Sequence, residues 1–148
     1  MTNVSIIDLL SNLDAQTGMR KPVEHTDLDF RGDSLEVLSS FPLPIKETFG
    51  FNLRRLQDGE RPACQFRPMP SVGPGIFELK DQDESTWYRV IYLTRVMGVI
   101  YVLHCFEKDS NKTSRRDLEI AGKRLQEVKA EIVQQRARLK KGEHRGSH

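Results

Sequence analysis

Several features are scarce in this chain of 148 residues, and each shortage excludes a class of protein. Only two cysteines occur, Cys64 and Cys105, which excludes a disulfide-stapled fold and a zinc site of the Cys-x-x-Cys type. No apolar run comes near the roughly 18 residues that indicate a membrane-spanning helix. The first residues show no basic segment followed by an apolar one, so no secretory signal is predicted. We therefore expect a cytoplasmic protein of one domain without membrane contact.

The net charge is also small, but its distribution along the chain is uneven. The whole sequence carries a charge of +2, from 23 basic and 21 acidic residues. Between Glu107 and Lys141 there are eleven basic and six acidic residues, an excess of five positive charges. Such a segment indicates a polyanion or an acidic protein as partner. The other interpretation is a solvent-exposed helix face laced with ion pairs.

The N-terminal half predicts short elements separated by breaks. An apolar cluster within residues 1–20 has the spacing of about two helical turns, so this segment is predicted to be an extension with a short helix. Residues 22–31 alternate weakly and predict an edge strand. A short helix starting at Asp33 or Ser34 and ending at Pro42 is predicted next, followed by a second helix from Leu43 to Gln57.

The C-terminal half begins with a predicted loop and continues with strands and one long helix. Prolines and glycines between Glu60 and Gly75 predict a loop without regular structure, and no Gly-Lys-Ser/Thr of a phosphate-binding loop occurs there. Runs rich in β-branched and aromatic residues predict three antiparallel strands, Ile76–Lys80, Trp87–Thr94 and Val99–Phe106. An apolar seam predicts a helix from about Ser114 to Lys140, with Leu118, Leu125 and Val128 packed against Val90, Val102 and Leu103.

A set of short motifs resembles one known family. The motifs are Tyr88-Arg89-Val90-Ile91-Tyr92, the strand end Leu103-His104-Cys105-Phe106-Glu107-Lys108, Lys112-Thr113-Ser114, and Asp117-Leu118-Glu119-Ile120-Ala121 with Arg124. Together they resemble the HigB-like, phage-derived branch of the RelE/ParE toxin superfamily. The likeness covers about Lys21 to Glu131. Two positions depart from the pattern, because Ser114 replaces the usual proline and Asp109 replaces a second lysine.

This resemblance implies an α+β fold and a division of the chain into three parts. The expected fold is a small, twisted, mostly antiparallel sheet of three to four strands, with two N-terminal helices and a long C-terminal helix. Residues 1–20 would be the extension and residues 21–132 the toxin domain. The apolar seam of the last helix thins beyond Ile132, so residues 133–148 are predicted to form a projecting or frayed tail, which ends in a sequence typical of an expression tag.

The resemblance also implies a function. Most such proteins are toxins of type II toxin–antitoxin systems that cleave mRNA in the ribosome without a metal or another cofactor. The expected partners are a helix-turn-helix antitoxin, the ribosome and mRNA, and the expected assembly is a homodimer or a hetero-oligomer with the antitoxin. Two alternatives stay open, a ParE-like toxin that inhibits a protein such as gyrase, and an inactive phage-derived interaction domain.

Candidate catalytic residues follow from the chemistry of metal-free RNA cleavage. The reaction needs a base for the 2′-hydroxyl proton, a cation for the phosphate and an acid for the leaving oxygen. Arg89 is the candidate cation, because a charged side chain is unexpected in the middle of a packed strand; its alternative role is an ion pair with Glu78. The resemblance makes Lys80 the candidate base. Glu78 is a further candidate base, and His104 is a candidate acid or base, although a hydrogen-bonded core histidine would look the same in sequence.

Candidate RNA-binding residues lie at the end of the last strand and at the start of the long helix. Cations there can hold phosphates, and an aromatic side chain can stack on a base. The candidates are Lys108, Lys112, Arg115, Arg116 and Trp87.

Overall fold

The computed structural model describes residues 26–110 and 112–146. The short helix predicted within residues 1–20 therefore lies outside the described residues, as do the last two residues of the predicted tail.

A five-stranded sheet forms the centre of the molecule. Its strands are β1 (Asp27–Phe30), β2 (Gln65–Pro68), β3 (Ile76–Gln82), β4 (Trp87–Val96) and β5 (Val99–Lys108). Their order in the sheet is β1-β5-β4-β3-β2. Three of the four pairings are antiparallel, whereas β1 pairs with β5 in parallel. The α+β class is confirmed, but the prediction of three to four strands is wrong, because the sheet is larger and mixed.

The edge strand predicted within residues 22–31 is present as β1, and it changes the order of the elements. Because β1 comes first in the chain, the two short helices do not both precede the sheet, as the prediction had them. They lie instead on the long crossover that separates β1 from its parallel partner β5, a connection that parallel strands require.

The second difference is β2, which lies inside the segment predicted as an irregular loop. Its four residues pair with Phe77–Lys80 of β3, and Phe66 packs against the core. Pro68 is tolerated because β2 is an edge strand and one of its sides needs no hydrogen-bond donor. A strand this short, set among prolines, has no periodicity that sequence inspection could detect.

Three helices cover the sheet. They are α1 (Ser34–Ser40), α2 (Leu43–Gln57) and α3 (Arg115–Gly146). The predicted bounds of α2 are confirmed, whereas α1 ends at Ser40, before the predicted end at Pro42, and α3 runs six residues beyond its predicted end. Ser114 caps α3, since its Oγ accepts a hydrogen bond from the Asp117 amide at 3.1 Å and donates to the Asp117 carboxylate at 2.6 Å.

The core has one layer on each side of the sheet. On one side α1 and α2 bury Phe49 and Leu53 in a cluster that includes Val90 and Val102. On the other side α3 buries its seam against the opposite face of the sheet.

The predicted core contacts of α3 are partly confirmed. Leu125 and Val128 share a cluster with Leu103, but Val90 and Val102 face the other helices, so that part of the prediction is wrong. Neighbouring strand residues point to opposite faces, and therefore Val102 and Leu103 could not both face α3.

Beyond Ile132 the last helix leaves the body of the protein. Val133 and Leu139 are 66% and 53% exposed, whereas Ile132 is buried. None of the helices in residues 26–110 and 112–146 is long and apolar enough to cross a membrane.

Candidate functional site

A cluster of charged side chains lies at one end of the sheet face that α3 covers. Strand register brings Arg67 opposite Glu78, and Lys80 opposite Arg89. Arg89 and Glu78 are fully buried, and Arg89 Nη1 donates to Glu78 Oε1 at 3.2 Å. Arg67 Nε donates to the same oxygen at 3.1 Å. One buried carboxylate thus holds two arginines, and the ion pair named as the alternative role of Arg89 is present.

The loop before α3 adds further hydrogen bonds to this cluster. Arg89 Nη1 donates to Thr113 Oγ1 at 2.6 Å, and Thr113 Oγ1 donates to Glu78 Oε2 at 2.9 Å. Arg89 Nη2 donates to the carbonyl oxygen of Ser110 at 3.2 Å. The guanidinium of Arg89 is therefore fixed by groups from β3 and from the chain that follows β5. We refer to Arg67, Glu78, Lys80, Arg89 and Thr113 as the Glu78 cluster.

Lys80 lies beside the two arginines and against an aromatic ring. Its Nζ is 5.3 Å from the ring centroid of Trp87, and Arg89 Cζ is 5.9 Å from the same centroid. Burial lowers the pKa of Lys80, and the positive charges of Arg67 and Arg89 lower it further against the opposing effect of Glu78. A lysine whose ammonium form is disfavoured in this way is better suited to accept a proton.

His104 lies apart from the arginines, between β5 and α3. Its Nε2 is 2.9 Å from Asp117 Oδ1, and its ring stacks on Phe106 at a centroid distance of 4.7 Å. Arg124 Nη1 approaches Nδ1 at 3.4 Å, and because arginine can only donate, the neutral tautomer with its proton on Nε2 satisfies both contacts. Burial lowers the pKa of His104 despite the hydrogen bond to Asp117. These contacts are those expected of a core histidine, and its catalytic role stays a prediction.

The predicted phosphate-binding cations surround the start of α3. Lys108 is opposite Trp87 in the sheet, and its Nζ is 3.7 Å from Asp117 Oδ2. Lys112 is exposed beside Thr113. Arg115 and Arg116 are exposed on the first turn of α3, and Arg115 pairs with Glu119 one turn later. All four could meet an RNA backbone, and this role also stays a prediction.

Two members of the Glu78 cluster were absent from the sequence-based candidates. Arg67 was missed because β2 was taken for a loop, so its place beside Glu78 could not be derived. Thr113 belongs to the Lys-Thr-Ser motif that carried the family resemblance, and that motif was the one signal that could have identified it.

The arrangement favours binding of an anion. Arg67 and Arg89 both pair with Glu78, and Lys80 lies beside them, so these four side chains together carry a positive charge. Within residues 26–110 and 112–146, no three His, Cys, Asp or Glu side chains are grouped so that they could hold a metal ion.

Comparison with known proteins shows the family. The chain matches the family described as Phage derived protein Gp49-like (DUF891) over residues 36–126, which is more than half of its length. All the candidate residues named above, from Arg67 to Arg116, lie within this range. A search of curated proteins gave no match. The chain therefore belongs to the phage-derived Gp49-like family, which is the HigB-like branch of the RelE/ParE toxins.

Proposed function

We propose that the protein is the toxin of a type II toxin–antitoxin pair and acts in the cytoplasm as a ribosome-dependent mRNA endonuclease. The observation that carries the proposal is the position of Lys80, whose pKa is lowered, beside the fixed guanidinium of Arg89. A base next to a fixed cation supplies two of the three groups that transphosphorylation of RNA requires.

In this reaction the 2′-hydroxyl of a ribonucleotide attacks the adjacent phosphorus. Neutral Lys80 takes the hydroxyl proton, the bond between phosphorus and the 5′-oxygen breaks, and a 2′,3′-cyclic phosphate remains. Arg89 supplies positive charge from the buried side of the Glu78 cluster, where the low dielectric lets a charge act over several ångströms. The leaving 5′-oxygen takes a proton from an acid, for which His104 is the candidate.

The partners follow from the same surface. The ribosome would align the mRNA, so that the toxin needs few residues of its own. Lys108, Lys112, Arg115, Arg116 and Trp87 would hold the RNA near the Glu78 cluster. A helix-turn-helix antitoxin that covers these cations would block phosphate binding, as a hetero-oligomer or on a toxin homodimer. Co-expression with the product of the neighbouring gene is expected to relieve growth arrest.

Induced expression in a bacterium, followed by primer extension on cellular mRNA, tests the proposal. We expect growth arrest with discrete cleavage sites within coding regions. Lys80→Ala and Arg89→Ala are expected to remove the cleavage sites, whereas Lys129→Gln, which removes an exposed cation elsewhere on α3, is expected to keep them.

Two results would contradict the proposal. Growth arrest with intact mRNA and inhibited gyrase supercoiling would indicate a ParE-like toxin. Normal growth at a high level of folded protein would indicate an inactive interaction domain.

A further inference from the structure

An open groove adjoins the Glu78 cluster. It lies between the turn that follows β2 and the loop that leads into α3, and its volume is about 530 Å³. That volume is in the range of small-molecule sites, roughly 300–1,000 Å³. Its lining includes Arg67, Met69, Ser71, Lys112 and Leu118.

The groove combines apolar and polar surface. Met69 is buried and Leu118 is half-buried, and both belong to the core layer under α3. Ser71, Ser110 and Thr113 add hydroxyl and backbone groups to the lining. An apolar surface with hydrogen-bonding groups at its border suits a planar heterocycle, whose faces are apolar and whose edges are polar.

Arg67 and Lys112 give the groove its charge. The side chain of Arg67 is 45% exposed, although its Nε donates to Glu78 and its Nη2 donates to Thr113 Oγ1 at 3.3 Å. These two contacts fix the plane of the guanidinium. Its Nη1 makes no hydrogen bond within the described part of the chain, so it can donate to an anion. Lys112 is exposed in the facing loop.

We propose that this groove binds one nucleotide of single-stranded RNA next to the phosphate that is cleaved. The base lies against Met69 and Leu118, and the phosphate lies between Arg67 and Lys112. The inference rests on the proposed function, because the groove shares Arg67 and Thr113 with the Glu78 cluster and so continues its cationic surface. A single strand is required, because the bases of a duplex are stacked and cannot enter a groove in the protein.

The proposal is tested by binding of a dinucleotide with 2′-O-methyl groups, which cannot be cleaved because the attacking hydroxyl is capped. Binding to the full chain is followed by the amide shifts of ¹⁵N-labelled protein. We expect saturable shifts at Met69, Ser71 and Leu118. Arg67→Gln and Ser71→Trp, which fills the groove without changing its charge, are each expected to raise Kd at least tenfold. The control Lys129→Gln is expected to change Kd less than twofold.

The outcomes separate the groove from the proposed reaction. Unchanged Kd for Ser71→Trp in a protein that melts at the parent temperature would overturn the groove, and so would shifts spread over the whole basic surface. If a short acidic peptide produced the same shifts at the same concentration, the site would be a protein-docking site and the proposal would be wrong. Groove-dependent binding without mRNA cleavage in cells would keep the groove and overturn the nuclease. If the Ser71→Trp variant cleaved mRNA at the parent rate, the nuclease would be retained and the groove would be overturned.

Discussion

The ion pair between Glu78 and Arg89 has no exposed side-chain surface in either partner. Both charged groups are shielded from water. Their charged forms are stabilised because the two groups bond to each other and to Thr113. Removing one partner from such a pair typically costs about 3–5 kcal/mol, because the remaining charge stays buried. The ion pair with Glu78 that the sequence offered as the alternative role of Arg89 therefore contributes to the stability of the protein.

The two partners are expected to differ in their effect on stability. Glu78→Ala removes the carboxylate that holds two arginines and is expected to lower the free energy of unfolding by about 3–5 kcal/mol. Arg89→Ala is expected to cost less, because Glu78 keeps its hydrogen bonds with Arg67 and Thr113. Urea denaturation of both variants and of the double variant checks this. The double variant should lose less than the sum of the single losses, and strict additivity would contradict the coupling.

Lys80 allows a prediction about the pH dependence of cleavage. As a base, Lys80 acts in its neutral form. The cleavage rate should therefore rise with pH until the pH reaches the pKa of Lys80, which lies below 10.5. Burial is the main cause of the lowered pKa, and the charges of Arg67 and Arg89 add to it. The rate on ribosome-bound mRNA, measured from pH 6.5 to 9, should increase with pH.

The control for this profile is Lys80→Arg, which keeps the charge but stays protonated throughout this range. It is expected to be slow and insensitive to pH. If the cleavage rate of the parent enzyme did not change with pH over the same range, Lys80 could not be the base.

At the scale of elements, the packing of α3 on β5 depends on polar contacts as well as on its apolar seam. Asp117 in the first turn accepts from Ser114 and contacts His104, and Arg124 two turns later donates to the carbonyl oxygen of Leu103 at 2.9 Å. Arg124 also pairs with Asp33 at 3.0 Å, which ties α3 to the start of α1. These contacts set the position of the Thr113 loop, which immediately precedes α3, over Arg89.

His104 should make the stability of the protein depend on pH. Burial lowers its folded-state pKa below 6.5, so between that lowered pKa and pH 6.5 the unfolded chain binds more protons than the folded one. Stability should therefore fall as pH decreases from 6.5 through this window and should change no further on account of His104 below it. Urea midpoints measured from pH 7.5 to 4.5 follow the effect.

The variant His104→Gln provides the comparison, because glutamine keeps a donor for Asp117 and does not titrate. Its stability at pH 7.5 is expected to be lower than that of the parent, and its loss on acidification should be smaller. Parallel curves for the two proteins would show that another group is responsible.

At the scale of the whole molecule, the packed body ends at Ile132. All residues from Val133 to Gly142 are exposed, and the last apolar side chain that α3 buries is that of Ile132. The ion pair of Arg31 with Glu131 lies just before this point and joins α3 to the segment after β1.

Two truncations test this boundary. Deleting residues 133–148 should leave the melting temperature within about 3 °C of the parent, because exposed helical residues contribute little to stability. Deleting residues 125–148 should prevent folding, because it removes Leu125, Val128 and Ile132 from the core. Differential scanning calorimetry of both chains distinguishes the cases. If deleting residues 133–148 lowered the melting temperature strongly, the tail would have to pack against the body, which would contradict the exposure described above.

Local patterns in the sequence were sufficient for part of this protein. The β-branched and aromatic runs of β3, β4 and β5 and the apolar seam of α3 are properties of neighbouring residues, so they predict elements and their approximate bounds without knowledge of the fold. The same elements and the motifs around Arg89 identified the family. The candidate Arg89 also follows locally, because a charged residue interrupts an otherwise apolar strand, whereas the candidate Lys80 came from the resemblance to the family.

Only the tertiary structure decided which of these groups meet. β1 and β5 are separated by 68 residues, and β2 is too short to be recognised, so the five-stranded order depends on pairing between distant segments. Arg67 joins Glu78 only through that pairing, and Arg89 meets Ser110 and Thr113 only because the fold returns these two residues to β4. Sequence periodicity reports the face of an element on which a residue lies. It carries no information about which residues of distant segments pack against that face. The partners of Arg89, which are Glu78, Ser110 and Thr113, belong to such segments.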